Sequence, residues 1–188
     1  MNIRLASSLQ YDSIVDGEGL RTVLWTQGCP HNCEGCHNPT THSFNEGYIT
    51  TTDELIKELD DNFKYQDGIT LSGGDPFMQA KAVNEIADYV KKAGKNVWAY
   101  TGFLYEDLLE MSKTNSSIIE LLNNVDVLID GKFNISEFSL DLYYRGSRNQ
   151  RVIDVKESLK HNKVILIDRF MKDKQNKNLR EKPKYIFV

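Results

Sequence analysis

Four short β-rich runs frame this chain: "TVLWT" (22–26), "GITL" (68–71), "NVWAY" (96–100) and "VDVLID" (125–130). Each runs into an unusual loop: "GCPHNCEGC", "SGGDP", "TGF" and "DGK". Helical patterns separate them. "TTDELIKELDDNF" opens with Thr51 and Glu54 at capping-box spacing, and Leu55, Ile56, Leu59 and Phe63 share one helical face. "AVNEIADYVKKAG" carries Val83, Ile86, Ala87 and Val90 at i, i+3, i+4 and i+7, with Gly94 as a C-terminal stop. "YEDLLEM" and "SSIIELLNN" are further helical stretches. This alternation predicts an α/β fold with parallel strands joined by right-handed crossovers. In such sheets the ligand site lies outside the carboxyl ends of the strands, so the four loops should converge on one edge. No repeat or linker divides the 188 residues, and one domain is expected. Within it, residues 156–188 form a C-terminal extension in which "KVILID" and "KYIFV" should add one or two strands.

The first loop holds every cysteine in the chain. Cys29, Cys33 and Cys36 are spaced C-x3-C-x2-C. An odd, clustered set argues against a disulfide framework and points to a reducing, cytoplasmic setting. The N-terminus lacks the apolar core of a secretory signal, and no run approaches the length of a membrane span. A net charge of −4 offers no electrostatic case for nucleic acid or an anionic membrane as partner. Two metal readings then stand side by side. Structural zinc needs four ligands, and His31, His37 or His42 would have to complete the set. An iron–sulfur cluster normally takes four cysteines, and three leave one iron free to bind a substrate or cofactor.

Other residues carry plainer readings as well. Gly73 and Gly74 allow backbone to approach a ligand and tolerate positive φ. Asp75 and Pro76 also suit the cap and first position of a helix. Asp130 ends an apolar strand, and burying it unpartnered would cost several kcal/mol, so a strand-end salt bridge is the bland account. Arg145, Ser147 and Arg151 sit on a loop after "LYY", and "VDGEGLR" (15–21) reads as a glycine-containing turn.

"VDGEGLRTVLWTQGCPHNCEGCHNPTT" resembles the radical S-adenosylmethionine (SAM) enzymes, and within them the glycyl-radical-enzyme activases. "GITLSGGDP" (68–76) follows in the family's order. "WAYTGF", "VDVLIDGKF" and "YRGSRNQRVID" (144–154) are similar to the branch that serves anaerobic ribonucleoside-triphosphate reductase. Gly35, where many members of the wider family carry an aromatic residue, agrees with that branch, whereas "CHNP" leans toward pyruvate formate-lyase activases. The resemblance covers roughly residues 3 to 155. It implies a partial (β/α) barrel of the radical SAM type, open on one side. It further implies that Cys29, Cys33 and Cys36 bind three irons of a [4Fe-4S] cluster and that SAM chelates the fourth. Reductive cleavage would give methionine and a 5′-deoxyadenosyl radical, which takes a hydrogen atom from a glycine of the reductase. Flavodoxin or ferredoxin would supply the electron.

The resemblance also assigns roles. Main-chain carbonyls of Gly73 and Gly74 meet the methionine amino group, with Asp75 as carboxylate partner. Gly35, Cys36 and His37 contact adenine, largely through backbone. Asp130 and Lys132 match an Asp-x-Lys pattern that faces SAM. Arg145 either holds the SAM carboxylate or, with Ser147 and Arg151, docks the reductase. Asp16 and Arg21 lie in the segment that meets the partner's glycyl loop. The rivals are an activase of a pyruvate formate-lyase-type enzyme and a zinc-stabilised binding module without catalysis.

Overall fold

A computed structural model describes residues 1–174; "KYIFV" lies outside the described residues. The four predicted strands form the centre of one sheet. They are β3 (Arg21–Thr26), β5 (Gly68–Gly73), β6 (Asn96–Tyr100) and β7 (Val127–Asp130), with β1 (Asn2–Leu5), β2 (Gln10–Ser13) and β4 (Tyr48–Thr51) ahead of or between them and β8 (Arg151–Asp154) after. The order is β4-β1-β3-β5-β6-β7-β8, with β2 paired to β3. Strands β3, β5, β6 and β7 run parallel in unbroken succession. The flanking pairs β1–β3, β1–β4 and β7–β8 are antiparallel. The sheet therefore does not close into a barrel, as expected, although only its centre is parallel.

The helices are α1 (Thr52–Asn62), α2 (Ala80–Lys92), α3 (Tyr105–Ser112), α4 (Ser116–Asn124), α5 (Val155–His161) and α6 (Asp168–Met171). At the start of α1 the capping box forms: Glu54 N donates to Thr51 Oγ1 at 3.3 Å, and Thr51 N donates to Glu54 Oε2 at 3.1 Å. Leu55, Leu59 and Phe63 bury the predicted face, as do Val83, Ile86, Ala87 and Val90 of α2. Gly94 takes φ +76°, a conformation that strains a residue bearing a Cβ, just past the end of α2. "KVILID" does not form the expected strand. Leu166 makes only an isolated bridge to Ile153 before the chain turns into α6.

The inner strands are apolar along their length because both faces are covered. Val97, Ala99 and Leu128 join the main core with the helices, while Trp98, Ile129 and Val152 point the other way and pack with Phe170 of α6. On this second face lies Arg21, which is 0% exposed. Its guanidinium donates to Thr70 Oγ1 (2.7 Å), Asn96 Oδ1 (2.7 Å) and the carbonyls of Ile69 (2.6 Å) and Glu18 (3.0 Å). It also stacks on Trp98 at 5.2 Å. Arg21 thus ties β3, β5 and β6 together and offers no free group to a partner, which corrects its expected role.

Candidate functional site

The loops after β3, β5, β6 and β7 do meet at one edge, around a cleft of about 500 Å³. Cys29, Cys33 and Cys36 line it together with Gly73, Gly74, Thr101, Gly102, Gly131 and Arg145. All three cysteines are free and partly buried. Main-chain bonds pin the ends of the cysteine loop. Gly28 N donates to Thr41 O at 2.8 Å, Cys29 N to His42 O at 3.1 Å, and the Gln27 side-chain amide to the carbonyls of Thr40 and Ser43. Burial pushes the Cys29 thiol up to about 11. That thiol keeps its proton until a metal displaces it.

Gly73 and Gly74 lie directly against this loop. Gly74 N donates to Thr26 O at 2.7 Å and Asp75 N to Gly28 O at 2.9 Å. Gly73 has φ +103°, and a Cβ there would sit 2.4 Å from Thr26 N and O; one on Gly74 would sit 2.3 Å from Gly28 O. Only glycine permits this contact of backbone on backbone beside the thiols. Gly35 (φ +70°) likewise has Ile135 where a Cβ would go. His37 lines the cleft with its ring 4.9 Å from that of Phe133. Asp16 lines it too, accepting a 2.5 Å bond from Ser13 Oγ.

Several expected ligands face elsewhere. Asp75 is 0% exposed, and both its oxygens are taken by protein donors. It is a helix-entry cap and loop anchor that engages His31, Phe77 N, Thr101 and Gly102 N and is not among the residues lining the cleft. Asp130 is fully buried as well. It accepts from Tyr105 N at 2.8 Å and pairs through both oxygens with Arg151. Its partner is therefore Arg151, while Lys132 is exposed and makes no side-chain bond to it. Arg151 also holds Glu106, and Ser147 is buried, its Oγ accepting from Asn134 N; Arg151 is thus committed to two carboxylates and Ser147 presents no surface group to a partner. Arg145 lines the cleft but donates to the carbonyls of Gln150 (3.0 Å) and Met171 (3.0 Å), leaving its Nε buried without a partner among the described residues.

Two residues gain importance that sequence reasoning did not give them. Gln150 accepts from Gly146 N and Ser147 N and donates to Gly131 O, joining the "YRGSRNQR" loop to the end of β7. His31 gives its Nε2 to Asp75 Oδ2 at 2.7 Å. His31 was visible only as a candidate metal ligand, and nothing local marked Gln150.

The donor set fits a [4Fe-4S] cluster with SAM beside it: three thiols round one cleft, no fourth cysteine, and a side-chain-free backbone next to them. It suits zinc poorly. Structural zinc needs a fourth protein ligand beside the thiols, and the Nε2 of His31 is already engaged with Asp75.

A family model described as "4Fe-4S single cluster domain" matches residues 15–153. Relatives named anaerobic ribonucleoside-triphosphate reductase-activating protein include the following three. That of Salmonella typhi is 36% identical over 147 residues, 74% of this chain and 91% of the relative. That of Enterobacteria phage T4 is 35% identical over 155 residues, covering 77% and 93%. That of Haemophilus influenzae is 34% identical over 151 residues, covering 76% and 94%. Among solved structures, QueE from Escherichia coli aligns with TM-score 0.45 at 15% identity over 54% of this chain and 53% of that one, too low a likeness to bear on function. With three free cysteines round the cleft and this identity along most of its length, the chain belongs to the family of anaerobic ribonucleoside-triphosphate reductase-activating proteins, with a 4Fe-4S single cluster domain.

Proposed function

We propose that this protein activates an anaerobic ribonucleoside-triphosphate reductase by generating a glycyl radical on it. The observation that carries the reading is the meeting of three free thiols with the Gly73–Gly74 backbone in one cleft. When bound, a [4Fe-4S] cluster with SAM at its open iron supplies reductive cleavage to a 5′-deoxyadenosyl radical, the species that takes hydrogen from glycine. Cys29, Cys33 and Cys36 hold the cluster. Carbonyls of Gly73 and Gly74 receive the SAM amino group, and Gly35, Cys36 and His37 border its adenine. Arg145 lines the same cleft and orders the adjoining loop through the carbonyls of Gln150 and Met171. Asp16 stands at the mouth, where Val15 (71% exposed) and Leu140 (80% exposed) give an apolar rim suited to an entering polypeptide loop. Flavodoxin or ferredoxin would deliver the electron. No helix among the described residues is long and apolar enough to cross a membrane.

The test is anaerobic incubation of the reconstituted protein with SAM, reductant and either the reductase or a pyruvate formate-lyase-type enzyme. Electron paramagnetic resonance should show a glycyl radical on the reductase. A silent reductase beside a radical on the other enzyme would overturn the substrate assignment.

A further inference from the structure

The triplet "TGF" after β6 is unusual in sequence, yet the proposed chemistry gives it no task. The structure shows what surrounds it. Asp75 Oδ1 accepts from Phe77 N at 3.0 Å. Its Oδ2 accepts from Thr101 Oγ1 at 2.8 Å and Gly102 N at 3.1 Å, and contacts His31 Nε2 at 2.7 Å. An ionised carboxylate only accepts, so its bond with the imidazole requires the proton on Nε2. Gly102 makes room for that ring: a Cβ there would lie 2.3 Å from His31 Cδ2 and 2.6 Å from Cγ. Phe103 closes the other side edge-on, its ring centroid 4.4 Å from that of His31. Each residue of the triplet therefore has a part: Thr101 holds the carboxylate, Gly102 leaves the space and Phe103 walls the ring.

The place of this contact matters. The main-chain ties of the cysteine loop lie at its ends, at Gly28, Cys29, Thr41 and His42. Between Pro30 and His37, the His31–Asp75 bond is the one hydrogen bond to a separate element among the described residues. The turn closed by Cys36 N on Cys33 O is internal to the loop. We infer that His31 and Asp75 are a positioning pair, seated in the Thr101–Gly102–Phe103 socket, that fixes the middle of the cysteine loop against the Gly73–Gly74 backbone. The pair sets the distance between the three thiolates and the carbonyls that receive the SAM amino group. Neither residue touches the reacting atoms. This inference rests on the cluster-and-SAM reading above.

The experiment uses the full chain, reconstituted anaerobically, with iron and sulfide content measured first and SAM affinity then read from the resonance of the reduced cluster. His31→Ala should raise the SAM Kd about tenfold, the loss of one buried charge-assisted bond. His31→Gln, which keeps an N–H donor, should recover most of it. Gly102→Ala should weaken SAM in the wild-type background by a similar factor and change it less than twofold in His31→Ala, because the ring it displaces is gone. A purely structural role would lower urea stability and leave the Kd of the folded holoprotein unmoved. Normal iron content with a Kd within twofold of wild type, or additive losses in the double variant, would overturn the pairing. If His31→Ala fails to take up the cluster, restoration by His31→Gln supports the pair and continued failure refutes it. Wild-type protein that takes up no cluster or binds no SAM sinks the functional reading instead.

Discussion

Replacing Asp130 with alanine separates a cofactor ligand from a structural anion. Asp130 is completely buried, and its carboxylate meets Arg151 Nε at 2.9 Å and the α3 amide of Tyr105 at 2.8 Å. Breaking a buried ion pair costs about 3–5 kcal/mol. Arg151 is about a quarter exposed and keeps Glu106, so water and that carboxylate recover part of its loss. The Tyr105 amide loses its acceptor at the entry to α3, which adds about 1 kcal/mol. The expected loss is about 3 kcal/mol, or a melting temperature about 6–12 °C lower. Urea unfolding of the cluster-free chain under reducing conditions measures it. SAM affinity of the folded, reconstituted variant should stay within about threefold of wild type, less than the tenfold that 1.4 kcal/mol would give. A stability loss under about 1 kcal/mol combined with a tenfold weaker SAM affinity would refute the structural role and return Asp130 to the cofactor.

Gly74→Ala should cost about 2 kcal/mol or more and lower iron uptake, because its Cβ would sit 2.3 Å from the Gly28 carbonyl, a main-chain atom that cannot swing aside; normal iron content in a stable variant would contradict the packing. Cys29 of the metal-free protein, with its thiol pushed up to about 11, should alkylate about tenfold more slowly at neutral pH than an unhindered cysteine peptide, the smaller thiolate fraction being partly offset by higher nucleophilicity. Mass spectrometry of timed samples checks this, and equal rates would contradict it. At Asp126, burial pushes the carboxyl up, but Lys156, Lys91 and Val97 N outweigh it and hold it below its ordinary value. A depressed folded-state value means stability fully present above about pH 4 and lost as pH falls through the lower folded value. Asp126→Asn should flatten that acid limb of the urea midpoint, and an unchanged limb would refute the assignment. Cys33→Ala should abolish 5′-deoxyadenosine production; retained production would refute its role as a ligand.

The four inner strands were legible because burial on both faces leaves continuous apolar runs, as in "GITL" and "VLID". β1 "NIRL", β2 "QYDS" and β4 "YITT" are four-residue antiparallel strands mixing polar and apolar positions, so pairing defines them and no periodicity announces them. The location of the site was legible too, since loops after parallel strands converge by topology. The direction of individual side chains was not. Arg21 looked like a loop arginine beside glycines, yet Asn96, which receives it, lies 75 residues away. Asp75 read as a cofactor partner and, compatibly, as a helix cap until Thr101 and His31 arrived from separate loops. Arg151 and Ser147 sit in a polar, glycine-containing stretch that reads as surface, and only the fold brings Asp130 and Asn134 to them. Local sequence records backbone freedom and thiol spacing well, whereas buried polar pairs depend on contacts distant along the chain.

The proposal that three thiolates leave one iron of the cluster for SAM is most directly tested by Mössbauer spectra of the anaerobically reconstituted protein with and without SAM. Expected are iron and acid-labile sulfide in equal amounts, with a single iron site whose signal shifts when SAM is added while the others stay put. Zinc in place of iron with no sulfide, or a cluster whose iron sites all ignore SAM, would contradict it.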